Sequence, residues 1–269
     1  MKSILLHVYD DAGLESRLQA AFDLARAFGG HITCLHATPY PDYYMIDPSD
    51  TSALPVELYM EMEARRLAMQ TKVEHRLRIE TIPWTWIHVD RPAADSLIRL
   101  SPLMDVVVLS LDDRSDDYGK SQALVATVAT GALPPVLAMP AAVHSLDISA
   151  PMIVAWNGSA EASTAVRAAV PLLQQAASVH IVEVAERPPI FPADAGARYL
   201  SRHGIEAEIV QRQPIDGSVG KAILLAAVET GAGLIVSGAY GHSRLREFLL
   251  GGVTRSLLTE SKVPLLFAH

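Results

Sequence analysis

At 269 residues, half of them apolar and 19% charged, the chain has material for two folded domains of about 120 to 150 residues each and is a poor candidate for disorder. The net charge of −8 falls in residues 1–150, which hold 20 Asp and Glu against 12 Lys and Arg, while residues 151–269 hold 10 of each; with no basic block, a nucleic-acid partner is not expected. No apolar run is long enough to span a bilayer, Met1-Lys2-Ser3-Ile4 enters a strand-like pattern without a signal-peptide layout, and the single cysteine, Cys34, leaves no disulfide framework, so a cytoplasmic protein with no membrane partner is expected.

In chain order, Ile4 to Val8 and His31 to Leu35 are apolar, β-branched runs that predict buried strands. Pro55 opens a long helix predicted over Val56 to about Arg78, proline being tolerated at a first helical position. Asp105 to Ser110 and Pro135 to Leu137 predict two further strands. The second half begins with a strand at Met152 to Trp156, the turn Asn157-Gly158-Ser159 and a helical stretch from Ala160 to Ala177, which Pro171 is expected to kink or divide. Strands follow at Val179 to Val184 and Ile205 to Gln211, with a short helix, Ala193 to His203, between them. A helix from about Ser218 to Glu229, a strand at Leu234 to Ser237, a glycine-rich stretch, a helix from about Val253 to Ser261 and a strand at Val263 to Ala268 complete the pattern.

The halves repeat. Ile4 to Val8 answers Ile153 to Asn157 at an offset of 149, as His31 to Leu35 answers His180 to Val184; Asp105 to Ser110 answers Gly233 to Gly238, and Pro135 to Leu137 answers Pro264 to Leu266. Alternating strands and helices of this kind predict an α/β fold of two tandem domains, residues 1–145 and 150–269, with a boundary near Ala142 to Ala150 and a layered core in each.

The most informative segment is Ser237 to Thr254. It leaves the carboxyl end of a buried strand, where ligands settle in open α/β sheets. Gly238 and Gly241 allow close backbone approach. Gly251 and Gly252 lead into a helix whose first N–H groups and positive dipole end suit an anion, with Thr254 adding a hydroxyl and His242 or Arg244 offsetting phosphate charge. Neither a P-loop nor a dinucleotide fingerprint occurs.

The pattern G-x2-G-x9-G followed by a small residue, here Gly238, Gly241, Gly251 and Gly252, resembles that of the universal stress protein (UspA) family. The resemblance covers the second half and, more faintly, the first, and implies two tandem Rossmann-type, HUP-like domains, each a mostly parallel five-stranded sheet flanked by helices. It also implies a cytoplasmic stress-response sensor or regulator that binds an adenine nucleotide, ATP with or without Mg2+, in its C-terminal domain. By that resemblance the end of the first strand (Trp156, Asn157 and Ser159) would fix the adenosine and Val184 would lie against adenine. Gly238 and Gly241, with His242 and Arg244 nearby, would face ribose and phosphate, and Gly251, Gly252, Val253 and Thr254 would face the phosphates. Asn157 stands where an acidic residue is usual, and Gly252 where Ser or Thr is usual. Pairing through last strands, which the resemblance also implies, would join Pro135 to Met139 with Pro264 to Ala268 inside one chain; a homodimer of the whole chain is the other arrangement.

The first half departs from the glycine pattern. Ser110 or Leu109 replaces the first glycine, Asp112 or Asp113 the second and Gln122 the third, and Asp112, Asp113, Asp116 and Asp117 stand where phosphate would lie. This copy is expected to be degenerate, with a structural or partner-binding role and a solvated acidic loop rather than a cation site. His7, His36 and His88 fall near strand ends without a zinc spacing, and no metal site is expected. No partnered nucleophile or G-x-S-x-G elbow is readable, so slow ATP hydrolysis is the most that is expected in the way of catalysis. The alternative from another class is a nucleotide-independent scaffold or a module for a different small ligand or a partner protein.

Overall fold

The structure, a computed structural model, describes residues 1–38, 56–111, 118–184, 191–239 and 252–269. The first half runs β1 (Ser3–Val8), α1 (Leu14–Phe28), β2 (His31–Ala37), α2 (Val56–Glu80), β3 (Trp84–Val89), α3 (Ala93–Leu100), β4 (Val106–Leu111), α4 (Tyr118–Gly131) and β5 (Val136–Pro140). The second runs β6 (Met152–Trp156), α5 (Ala160–Leu173), β7 (Val179–Val184), α6 (Ala193–Arg202), β8 (Ala207–Arg212), α7 (Val219–Thr230), β9 (Leu234–Gly238), α8 (Gly252–Glu260) and β10 (Leu265–Ala268).

All ten strands lie in one sheet, ordered β3-β2-β1-β4-β5-β10-β9-β6-β7-β8. Within each half the strands are parallel; β5 and β10 pair antiparallel. Leu137 pairs with Leu266, its own counterpart in the repeat, while Val136 pairs with Phe267 and Ala138 with Leu265. A contact in which each residue meets its own equivalent is the signature of an isologous, two-fold interface. Here a single chain makes it, and the last-strand pairing expected from sequence is realised internally.

That junction alters one expectation. The apolar layers are not separate, one per half; there is one on each face of the sheet, and each runs through both halves. Pairing β5 with β10 leaves no sheet edge between the halves, so the side chains on either side of the joint pack together.

Local signals place the elements. The Ser159 hydroxyl caps α5 by accepting from the Ala162 N–H, and that of Ser218 caps α7 by accepting from the Lys221 N–H. Gly231 ends α7 in the left-handed conformation, φ 63°. Pro171 does not divide its helix, because it falls in the last turn of α5, two residues before the end. The long α2 continues to Glu80, slightly past the predicted Arg78. The buried positions of α5, each shifted by 148, all fall on buried positions of α1, which fixes the equivalence of the two helices.

Candidate functional site

In each half the strand order reverses beside the first strand: the chain crosses from β6 to β7 on one side, and β9 flanks β6 on the other. Such a reversal opens a crevice at the carboxyl ends of the strands. Around the β6–β9 crevice, Asn157 is exposed and its side-chain oxygen accepts from the Ser159 N–H at 3.1 Å, an Asx turn that delivers the chain into α5. Ser159 is buried, and its hydroxyl is already engaged by Ala162 N–H at 3.1 Å. The hydroxyl of Ser163 donates to the Ser159 carbonyl.

Gly238 ends β9. A Cβ there would stand 2.6 Å from the Ala162 nitrogen and 2.7 Å from the Glu161 carbonyl carbon, so its first role is to let β9 meet the start of α5 backbone to backbone. Beyond it, Ala239 donates its N–H to the Ala268 carbonyl at 2.8 Å, and a ring nitrogen of His269 lies 2.8 Å from the Ala239 carbonyl oxygen. Because β9 and β10 are parallel, α8 runs back antiparallel to them and its N-terminus comes to the carboxyl edge of the sheet. Gly252 begins that helix, and no atom of the described residues lies within 4 Å of where its Cβ would be. Val253 is half-buried and Thr254 is buried in the first turn.

The other residues singled out from sequence divide. Val184 lies half-buried at the end of β7. Trp156 ends β6, and its side chain lies in the apolar layer it shares with α6; its indole N–H donates to the Phe191 carbonyl at 2.9 Å, and a Cβ on Gly196 would meet the ring at an ordinary contact distance of 3.5 Å. Gly241, His242, Arg244 and Gly251 lie outside the described residues, as does the acidic run Asp112 to Asp117. Sequence reasoning missed Glu183, paired with Trp156 across β6–β7, whose Oε1 is buried without a partner among the described residues.

At the matching place in the first half, between β1 and β4, stands Arg17, 1% exposed. Its guanidinium donates to the carbonyls of His7 at 2.7 Å and Tyr9 at 2.5 Å, to Asp11 at 2.5 Å and to the Ser110 hydroxyl at 2.9 Å. Ser110 in turn donates to the Gly13 carbonyl, and Asp11 accepts from the Gly13 N–H. The crevice is thus filled by a guanidinium with bonds to four groups. By the shift of 148, the residue at the place of Arg17 in α5 is Ala165.

The histidines do not converge on one point. His36 and His88 sit side by side on β2 and β3 with ring centroids 5.2 Å apart. His7 pairs with Leu35 and therefore projects from the other face. Among the described residues no group of three or more His, Cys, Asp or Glu is placed to hold a metal ion. Burial, reinforced by Arg17 and His36, holds the His7 imidazole down to about 3; burial and then His88 and Arg66 hold His36 down to about 4. No described helix is long and apolar enough to cross a membrane.

Comparison with known proteins agrees with this architecture. Residues 150–269 match the universal stress protein family. No curated protein matches the chain. Among solved structures, a universal stress protein from Archaeoglobus fulgidus DSM 4304 superposes with a TM-score of 0.74 at 18% identity, covering 99% of this chain and 96% of its own. A functionally unknown protein from Pseudomonas aeruginosa PAO1 superposes with a TM-score of 0.58 at 13% identity, covering 100% and 92%. At these identities the likeness is one of fold, and it extends over both halves. Residues 150–269 thus carry the universal stress protein match, and the chain as a whole is a tandem of two α/β units with the fold of those solved structures.

Proposed function

We propose that the second half, residues 150–269, binds an adenine nucleotide, ATP, and that the chain acts as a cytoplasmic stress-response sensor or regulator through that occupancy. Residues 1–145 form a degenerate copy with a structural role. The observation that carries this reading is the contrast between the two crevices. The β1–β4 crevice is filled by Arg17, whereas at β6–β9 the equivalent residue is Ala165 and the serines of α5 are spent within their own helix.

The residues present fit the group. The first N–H groups of a helix have no partners within it and carry partial positive charge, so Gly252, Val253 and Thr254 would hold phosphate oxygens through their backbone. Asn157 would hold the sugar by hydrogen bonding, and the end of β7 at Val184 supplies an apolar surface for the base. The nucleotide brings the negative charge that these dipoles stabilise, and Mg2+, where present, would be held mainly by the phosphates.

Thermal unfolding with and without ATP–Mg2+ tests the reading. A ligand at one hundred times its dissociation constant adds about 2.7 kcal/mol to stability, and a clear rise in Tm at millimolar ATP is expected. An unchanged Tm favours the nucleotide-independent scaffold.

A further inference from the structure

Glu183, near the carboxyl end of β7, holds a buried carboxylate oxygen, Oε1, that has no hydrogen-bond partner among the described residues. Its strand neighbours do not supply one. Trp156, opposite it on β6, spends its indole N–H on the Phe191 carbonyl, and Gln211, opposite it on β8, leaves Oε1 unpaired. A carboxylate can only accept, and a buried acceptor without a donor costs stability. The chain keeps this one at the edge of the sheet where α/β folds take their ligands.

The first half repeats the arrangement, and the strand register fixes the equivalence. Val8 and Trp156 are related by the shift of 148 and lie in the same apolar layer. Val8 pairs with His36 as Trp156 pairs with Glu183. His36 also has a buried polar atom without a partner, Nδ1. The two places differ in their cover. The helix α2 has 25 residues and α6 has 10, and counted back from their carboxyl ends the extra turns of α2 hold Glu63 and Arg66. Those two charges act on His36, which is 3% exposed. The shorter α6 has no such turns, and Glu183 is half-buried.

We propose that Glu183 selects the base of the bound nucleotide, its carboxylate accepting a hydrogen bond from an exocyclic amino group, the 6-amino group of adenine. This rests on the binding of a nucleotide with its base at the end of β7 beside Val184. Consecutive residues of a strand project to opposite faces, so Val184 and Glu183 border that end from its two sides. One supplies apolar surface and the other a single acceptor. A 6-oxo base would set its own oxygen against the carboxylate, two acceptors with no proton between them. A polar group left unpaired in this way rejects the wrong base more strongly than an apolar surface can.

Titration calorimetry of the full chain with ATP and with ITP, which has oxygen in place of the 6-amino group, tests the assignment. ATP should bind about tenfold tighter or more, and Glu183→Gln, whose amide can donate as well as accept, should bring the two affinities within about threefold of each other. Without nucleotide, Glu183→Gln should keep or raise Tm, because no described group pairs with Oε1. Equal affinities in the unsubstituted chain, a preference that survives Glu183→Gln, or a clearly lower Tm in that variant would each overturn the assignment and leave nucleotide binding standing. Binding of neither nucleotide would overturn both.

Discussion

Gly238 and Glu161 approach so closely that a Cβ on the glycine would stand 3.0 Å from the Glu161 Cβ, and in the first half Ser110 and Gly13 make the same contact with the roles exchanged. A Cβ on Gly13 would stand 2.4 Å from that of Ser110. Each half therefore brings the end of its fourth strand against the start of its first helix, and each leaves room for a side chain on only one of the two.

Gly238→Ala should destabilise the chain by about 1 to 3 kcal/mol, the usual cost of overpacking against atoms that cannot yield. Gly13→Ala should cost a similar amount, and Ser110→Gly should recover part of it in the double variant. Urea unfolding of the four members of that cycle measures the coupling. Additive effects would mean that the two residues do not meet.

Arg17→Met should cost on the order of 3 kcal/mol, because Asp11, the Ser110 hydroxyl and two carbonyls lose their shared donor. The loss should appear in unfolding experiments and leave ATP affinity unchanged, since the plug and the proposed nucleotide site lie in different halves.

Stability should fall as the solution is acidified through the range set by His7 and His36. Folded, they titrate at about 3 and about 4, below the ordinary value of 6.5. Between those values the unfolded chain binds more protons, so the contribution is fully present above about pH 6.5 and is lost as pH falls toward 4 and then 3. His36→Asn should flatten the acid limb of a plot of unfolding midpoint against pH; a limb of unchanged slope would count against the burial of a neutral imidazole.

Gly252→Ser should be accepted without loss of stability, since no described atom stands near its Cβ and its φ is not in the left-handed region. The added hydroxyl, at a helix N-terminus, should tighten ATP binding by about 0.5 to 1.5 kcal/mol, the ordinary worth of one hydrogen bond. Titration calorimetry on the two proteins decides it, and equal or weaker affinity would place the phosphates elsewhere.

Much of the architecture could be read from the chain because strands buried on both faces spell unbroken apolar runs, as at Ile4 to Leu6 and Ile235 to Val236. The edge strand β3 did not stand out: Trp84 to Val89 is only half-buried, and its apolar pattern is interrupted by Thr85 and His88. Gly238 was recognisable as special, but its reason, the approach of α5, depends on residues some 76 positions earlier in sequence. Arg17 was invisible because an arginine on a helix ordinarily faces water, and only the fold brings the carbonyls of His7 and Tyr9 around it. The linker looked like a boundary; its docking on Asp23 requires the two-fold junction that sequence could only suggest.

The asymmetry between the two crevices is tested most directly by the stoichiometry of ATP binding to the full chain, measured by isothermal titration calorimetry. One nucleotide per chain is predicted, unaffected by Arg17→Met in the first half. Two per chain, or none at millimolar ATP, would contradict the account.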